Sequence, residues 1–587
     1  MTSLEQLLRD RLGRAFEAVA GKPIDPAVQR SQHADYQSNA ALGLARQLKA
    51  SPREASPREA NPREANPREI AAQVLAAAAL DDLCEAEISG PGFINLTIAN
   101  RVLGRMLGEM QADERLGIPL AHPETVVVDY SAPNAAKEMH VGHLRSTIIG
   151  DAAVRVLEWL GHRVIRQNHL GDWGTPFGML IEHLLDIGEA EAAHELSVGD
   201  LSGFYTAARR KFDRSDDFKD RSRRRVVALQ NGDPATLRLW RLLVTESQRY
   251  FMTVYHRLDV RLTEDDFAGE STYNHDLDQV VTDLDKGGLL RESEGALCAF
   301  PNGFTGRDGQ PLPLIVRKSD GGYGYATTDL AAVRHRVDNL KATRLLYVIG
   351  LPQRQHLRMV LATAAQAGWL TSATRAEHVG FGSVLGRDGK MLRSRLGGTV
   401  KLTDLLDEAV DRAAATVAVK NPDLDEATRA EVAHAVGTGA VKYADLSTDR
   451  GKDYVFDLDR MLSFDGNTAP YLQFAHARIR SIFRRGGFAA TPAGTPLHIT
   501  EPAERNLAIE LLTFPDVIAA VADTLEFHRL AGHLYTVATA FTTFYECCPV
   551  LKVDEPTRSS RLMLCDLTAR TLATGLDLLG IAAPDRM

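Results

Sequence analysis

The chain predicts an α/β fold: a doubly wound parallel sheet set between an N-terminal α+β unit and a C-terminal all-α bundle. Three observations point there. Short apolar, β-branched runs alternate with helical stretches between about residues 121 and 402, the order that builds parallel sheets. Strand signals stop after about 402, where long amphipathic stretches run to the end. A break at AHPE, residues 121–124, sets off a shorter mixed segment before it. Within residues 1–120, helical spacing marks 4–19 and 70–80, and a strand is expected at 92–98. Between the helices, SPREASPREANPREANPREI repeats one pentapeptide four times. Each copy is a miniature helix start, with Ser or Asn at the N-cap, Pro at N1 and Glu at N3. Only Asn66-Pro67-Arg68-Glu69 leads into an apolar helical run, so it is the expected working cap. Residues 51–65 are expected to be a duplicated insertion, a surface loop or broken turns, because each proline removes a helical N–H and restricts its predecessor. The expected central strands are TVVVDY (125–130), HRVIRQ (162–167), GALCAF (295–300), LPLIVRK (312–318) and RLLYVIG (344–350), with a helical insertion at about 178–263. In the bundle, Leu507, Leu511, Leu512 and the run from Val521 to Leu525 are expected core positions.

At 587 residues the chain has room for roughly three or four domains. Hydrophobic and charged fractions of 44% and 25% are those of a globular protein. Neither an apolar run of about 18 residues nor a basic-then-apolar start occurs, so a cytoplasmic protein with no membrane span is expected. Cys84, Cys298, Cys547, Cys548 and Cys565 show no CxxC spacing; they read as buried thiols, with neither a metal site nor a disulfide framework. The balance of 68 Lys+Arg against 77 Asp+Glu argues against a bulk attraction to nucleic acid. Basic clusters at 209–225 and 477–485 either track phosphates locally or are solvated helix faces.

The most informative stretch is DYSAPNAAKEMHVGHLRSTIIGD, residues 129–151. A buried strand gives way to a helix spaced by Leu144, Ile148, Ala152 and Leu157, with His140-Val141-Gly142-His143 in the turn. A helix N-terminus offers unpaired N–H groups and a positive dipole end to an anion. Gly142 admits a flat base to the backbone, and the imidazoles can donate to phosphate oxygens. Taken alone, two such histidines are more often surface or core residues than a phosphate site.

Further blocks reverse that balance. DYQSNAAL (35–42), GPGFINL (90–96), NHLGDWGTPFG (168–178), GGYGYATTDLA (321–331), GKMLRSRLGGTVKL (389–402), AVKYADLS (440–447), FDGNTAPYLQFAHAR (464–478) and a terminal LLGIAAPDRM follow in order. With HVGH they resemble, nearly end to end, the class I aminoacyl-tRNA synthetases and among them the bacterial-type arginyl-tRNA synthetases. The resemblance implies a Rossmann-like catalytic domain at 121–402, an N-terminal domain at 1–120 approaching the tRNA elbow, and a helical anticodon-binding domain at 403–587. Its implied reaction joins the carboxylate of L-arginine to the α-phosphate of ATP, with Mg²⁺, and expels pyrophosphate. The aminoacyl group then passes to the 3′-terminal adenosine of tRNA(Arg), through the 2′-OH in class I enzymes.

Negative charge crowds the first half-reaction, which calls for positioning and cations. On the resemblance, Lys137, His140, His143, Lys390, Arg393 and Arg395 are the catalytic candidates, and His140, Gly142, His143, His356, Lys390 and Met391 are placed near ATP. The second class I signature, KMSKS, stands here as Lys390-Met391-Leu392-Arg393-Ser394, with a glycine-rich flank suited to a loop closing over ATP. A guanidinium grips phosphate but is not a point-charge equivalent of lysine. The family offers Lys137 as its proposed substitute, and it ranks above Arg393. A guanidinium substrate needs carboxylates. The resemblance assigns Tyr325 and Asp329 to it, with Asp129 as the second acid, and Asn134 and Gln353 to the amino or carboxylate end. Without the family, Asp129 and Asp329 would read as strand-end caps.

Tyr471 and Arg478 are expected to meet unstacked tRNA bases, while Phe474, at the same helical spacing, is better suited to core packing. Pro176 stands where the family more often has Gln, which leaves the backbone there open. No β-rich insertion suggests an editing domain, and a monomer is expected. The rival readings are a paralogue acting without tRNA, which the complete helical C-terminal region opposes, and a silent tRNA-binding homologue, which the presence of both histidines, Lys137 and Asp329 opposes.

Overall fold

The computed structural model describes residues 2–50, 66–189, 201–319, 321–392, 400–488 and 497–587. The expectations for the repeat copies at 51–65 and for Arg393 and Arg395 lie outside these residues. The N-terminal sheet is antiparallel in the order β1-β2-β4-β3, built from β1 (Val28–Arg30), β2 (Tyr36–Ser38), β3 (Cys84–Ser89) and β4 (Phe93–Ile98). The helix Leu4–Ala20 starts on Ser3, whose hydroxyl accepts from the Gln6 N–H. The helix Pro67–Ala78 starts on Asn66, whose side chain accepts from the Arg68 N–H at 3.0 Å, with proline in the first turn. The last repeat copy is therefore a working cap. Asn66→Ala is expected to cost about 1 kcal/mol, visible as a lower urea midpoint at unchanged m-value.

Downstream follow β5 (Thr125–Asp129), β6 (Arg163–Gln167), β7 (Leu290–Ser293), β8 (Ala296–Ala299), β9 (Leu314–Arg317), β10 (Arg344–Tyr347) and β11 (Arg375–His378). The parallel sheet has the order β11-β10-β5-β6. The runs at 295–300 and 312–318 are not part of it, contrary to the expectation: β8 and β9 join β7 in a separate antiparallel sheet. The cause is local. Glu294 and Gly295 both adopt positive φ, 51° and 76°, which turns the chain back in a two-residue hairpin. A parallel partner needs a long crossover. The parallel strand that the sequence hid is β11, an edge strand with no buried residue.

β5 and β10 are neighbours, aligned so that Asp129 stands opposite Tyr347. Their carboxyl ends open the crevice where ligands bind in such sheets. The helix Val141–Trp159 follows β5 and is buried almost throughout. It lies so close to the strand end that a Cβ on Gly150 would fall 2.3 Å from Tyr130. The helices Thr175–Ile187, Leu201–Arg214, Asp216–Gln230 and Pro234–Arg257 fill the expected insertion. Pro176 sits in the first turn of its helix, where a missing N–H costs nothing. The basic cluster at 209–225 is largely consumed within the protein: Arg221 and Arg225 pair with Glu182, and Lys211 and Arg221 with Asp186.

Beyond 402 the helices Leu402–Lys420, Glu426–Leu446, Ala469–Gly486, Pro502–Thr524, Phe527–Cys547 and Thr557–Leu578 form the bundle, with Leu507, Leu511, Leu512, Val521 and Leu525 buried; between the last two, contrary to the expectation, Ala522 and Thr524 are half-buried and Asp523 is exposed, because one helical turn cannot face the core all round. One short parallel pair, β12 (Val384–Leu385) with β13 (Tyr454–Val455), enters this otherwise helical region. Arg145 of the Val141–Trp159 helix meets Asp445 of the bundle at 3.0 Å, both side chains 1% exposed. Removing either partner would strand a buried charge. Four of the free cysteines are buried; Cys547 is exposed, because it ends its helix on the solvent side. Among the described residues, no helix is long and apolar enough to cross a membrane.

Candidate active site

Between β5 and the following helix, the chain passes through three left-handed residues, Ser131, Ala132 and Ala136, with φ of 70°, 46° and 60°. Such backbone persists only where surroundings impose it. Here the Ser131 N–H donates to Ser146 Oγ, the Ala132 N–H to Asn168 Oδ1 and the Ala136 N–H to Ser247 Oγ, at 2.8–3.0 Å. The loop delivers His140 as N-cap of the helix Val141–Trp159. His140 Nδ1 accepts from the Gly142 N–H at 3.0 Å, and His143 Nδ1 accepts from the His140 N–H at 3.1 Å. Each Nδ1 is thereby an acceptor, which puts the proton of each neutral ring on Nε2. Burial pushes both pKa values down, His143 to about 3, with help from His140 and from Lys137. Two neutral N–H donors therefore flank a helix N-terminus. Gly142 serves a purpose the sequence did not reveal: a Cβ there would lie 2.7 Å from His140 Cε1, so the glycine makes room for the folded-back imidazole.

Lys137 extends from the same loop with its ammonium 4.4 Å from the centroid of the Tyr205 ring. It makes no ion pair among the described residues. The 400–402 segment returns against the signature: Val141 N–H donates to Val400 O, Leu402 N–H to Met139 O, and Lys401 pairs with Glu138. Lys390 and the exposed Met391 stand at the far end of a tight hairpin closed by Gly386 N–H to Lys390 O. The first residues of this second signature, Lys390 to Leu392, and the segment from Val400 are thus in place, while Arg393 and Arg395 lie outside the described residues.

An acidic group is built on the helices that follow β9 and β10. Tyr325 and Asp329 are one turn apart on the helix Tyr325–Asp338, and Tyr325 is 70% exposed. Asp329 Oδ2 takes His356 Nε2 at 2.6 Å, which raises the imidazole's pKa despite its burial. His356, expected beside ATP, thus has one ring nitrogen already engaged. Asp129 is committed elsewhere: Oδ2 accepts from Arg336 Nη2 at 2.8 Å in a buried pair, and Arg336 also holds Gln167. The acid placed with Asp329 and Tyr325 is Glu270, which sequence reasoning missed. Burial, and then Asp172 and Asp329, push its carboxyl up to about 8. The Tyr325 hydroxyl, although most of the residue is exposed, is raised by partial desolvation of its oxygen and then by Glu270.

The segment 168–173 builds that corner. Asn168 and Leu170 accept backbone N–H groups from Ala268 and Glu270, and Asp172 fixes the next residue through Ser271 N and Oγ at 2.9 and 2.7 Å. Gly269 is packed against the Asp172 carboxylate so closely that a Cβ would fall 2.3 Å from it. Asn134 packs its Oδ1 on Gly171, and Gln353 stands exposed just before the helix Arg354–Gln366.

A separate cleft of about 530 Å³ opens in the bundle, lined by Phe474, Arg478, Arg484, Arg485, Tyr545 and Arg586 among others. Arg478 lies over Phe474 and Tyr545, with its guanidinium carbon 4.8 and 5.9 Å from their ring centroids. Phe474, expected in the core, is 36% exposed, with Phe464 set against it edge-to-face. Tyr471 is turned the other way, onto Tyr535 and Thr542.

Neutral N–H donors with a lysine, and two coupled acids, suit a ligand pair with an anionic phosphate and a cationic side chain. Comparisons with known proteins agree. The family described as tRNA synthetases class I (R), catalytic domain, matches residues 107–458; the DALR anticodon binding domain matches 472–587; the arginyl tRNA synthetase N terminal domain matches 2–98. The arginine–tRNA ligase of Thermobifida fusca is 54% identical, across 100% of this chain and 99% of its own length. That of Hahella chejuensis is 48% identical across all of both chains. Among solved structures, the arginyl-tRNA synthetase of Plasmodium falciparum superposes with a TM-score of 0.84 at 28% identity, covering 100% of each chain.

Proposed function

The chain belongs to the arginyl-tRNA synthetases of class I and is an arginine–tRNA ligase; from that premise we propose how its own residues divide the work. ATP and arginine are joined as arginyl-adenylate with release of pyrophosphate, and the arginyl group passes to tRNA(Arg). His140 and His143 donate from Nε2 to the nucleotide phosphates over the helix N-terminus, and Lys137 supplies the charge that grows in importance as the α-phosphate is attacked. Lys390, with Arg393 and Arg395, serves the pyrophosphate side, and Met391 covers the nucleotide. Glu270 and Asp329 hold the substrate guanidinium beside the Tyr325 ring, while Asn134 and Gln353 take the amino and carboxylate end. The observation that carries this reading is the raised carboxyl of Glu270 coupled to Asp329, while Lys137 makes no ion pair among the described residues.

Mg²⁺ would neutralise charge on the ATP phosphates, and such ions commonly keep substrate oxygens and water as ligands; among the described residues no three His, Cys, Asp or Glu side chains converge on one point. Arg478, with Phe474 and Tyr545, grips unstacked anticodon bases in the basic cleft, and Tyr471 supports that wall from behind. Residues 1–120 approach the tRNA elbow, 121–402 do the chemistry and 403–587 read the anticodon, in a cytoplasmic monomer.

The test is arginine-dependent ATP–pyrophosphate exchange by the purified protein, with and without tRNA(Arg) and with other amino acids as controls. Exchange with arginine alone among the amino acids is the expected result; exchange with lysine at a comparable rate would sink the two-carboxyl guanidinium site. Gly142→Ala is expected to displace the His140 ring and lower this rate at least tenfold, with circular dichroism unchanged. An unaltered rate would mean the imidazole's position is not needed.

A further inference from the structure

Lys137 carries a long side chain on a rigid base. The preceding Ala136 is held in a left-handed conformation by Ser247, so the backbone is fixed while the side chain has four torsions to control. A carboxylate could control them, but it would also neutralise the ammonium and repel a triphosphate. The protein presents a ring instead. Tyr205, half-buried on the helix Leu201–Arg214 of the insertion, places its π face 4.4 Å from the Lys137 Nζ. An aromatic face attracts a cation without cancelling its charge, and leaves the other ammonium protons free to donate.

We propose that Tyr205 is the positioning residue for Lys137, an aromatic backstop supplied by the helical insertion that aims the ammonium at the phosphates. This rests on Lys137 being the phosphate-facing cation.

The experiment measures kcat and KM in arginine-dependent pyrophosphate exchange, with tRNA(Arg) present, for Tyr205→Phe, Tyr205→Leu, Lys137→Met and the Tyr205→Leu/Lys137→Met double variant. Tyr205→Leu is expected to lower kcat about tenfold with little change in the KM for arginine, since a ring–cation contact is worth that order. Tyr205→Phe, which keeps the π face, should retain at least half of the wild-type rate. In the Lys137→Met background, Tyr205→Leu should cost less than twofold more, because the lysine it aims is gone. Phenylalanines of increasing fluorination at 205 keep the shape and weaken the ring's field, so kcat should fall stepwise along that series; a flat series overturns the inference even if Tyr205→Leu misfolds. Multiplying losses in the double variant, with Lys137→Met impaired, overturn the Tyr205 inference alone. A Lys137→Met rate near wild type overturns the Lys137 reading and Tyr205 with it.

Discussion

Glu270→Gln is expected to reduce kcat/KM for arginine by about 10²–10³, while the KM for ATP stays within about threefold, because truncating one side of a desolvated charge pair costs several kcal/mol. The variant is nearly isosteric, so the corner formed by Asp172, Ser271 and Trp173 should survive. A pH signature separates a ligand-binding acid from a structural one. Without arginine, burial and the charges of Asp172 and Asp329 hold the Glu270 carboxyl up to about 8. It is therefore mostly protonated at pH 7. A guanidinium favours the ionised form, so its binding lowers that pKa and releases a proton. Affinity should rise as pH goes from 6 towards 8, by at most tenfold per unit, and level off above the free-state value. Calorimetry at pH 7 in two buffers of different ionisation heat should show release of nearly one proton per arginine, lost in Glu270→Gln. His356, raised by Asp329, contributes on the acid side, and His356→Asn separates the two parts. Proton release unchanged in Glu270→Gln would exclude the carboxyl as the guanidinium's partner.

What could be read from the sequence was whatever is written locally. The HVGH turn, the strand before it and the Asn66 cap each depend on residues within a few positions of one another, so spacing and cap chemistry reveal them. The hairpin at Glu294-Gly295 was local too, but its runs were apolar enough to pass for central strands. The acids show where local reading ends. Asp129 looked available because its partner, Arg336, lies 207 residues away. Glu270 looked like one acid among many in a stretch without periodicity; its place comes from a backbone ladder to 168–170 and from the Asp172 carboxylate behind it. Its only sequence trace is the adjacent Gly269, whose lack of a side chain admits that carboxylate. Similarly, Phe474 and Tyr471 share one helix, and only the neighbours, Phe464 on one side and Tyr535 on the other, decide which of them faces the basic cleft.

Lys137→Met should lower kcat for adenylate formation by about 10²–10³, the loss typical of removing one preorganised partner of a developing anion, with the KM for arginine nearly unchanged. The argument is electrostatic. As the arginine carboxylate attacks, negative charge accumulates on the phosphate oxygens, and the neighbouring imidazoles cannot answer with full charges: burial holds His143 near a pKa of 3 and lowers His140 as well. Lys137 contributes to both shifts, so the lysine and the two rings form one device, a single cation beside two neutral donors. Two neighbouring charges would instead repel each other while the site is empty. The exchange rate should accordingly show no step from His143 ionisation between pH 6 and 9, in wild type or variant. Lys137→Arg should recover only part of the loss, since a planar guanidinium neither matches the ammonium's reach nor its point charge. Lys390→Met, at the exposed end of its hairpin, should cost less in kcat than Lys137→Met. The reverse order, with Lys390→Met the more damaging and Lys137→Met close to wild type, would return the transition-state charge to the second signature.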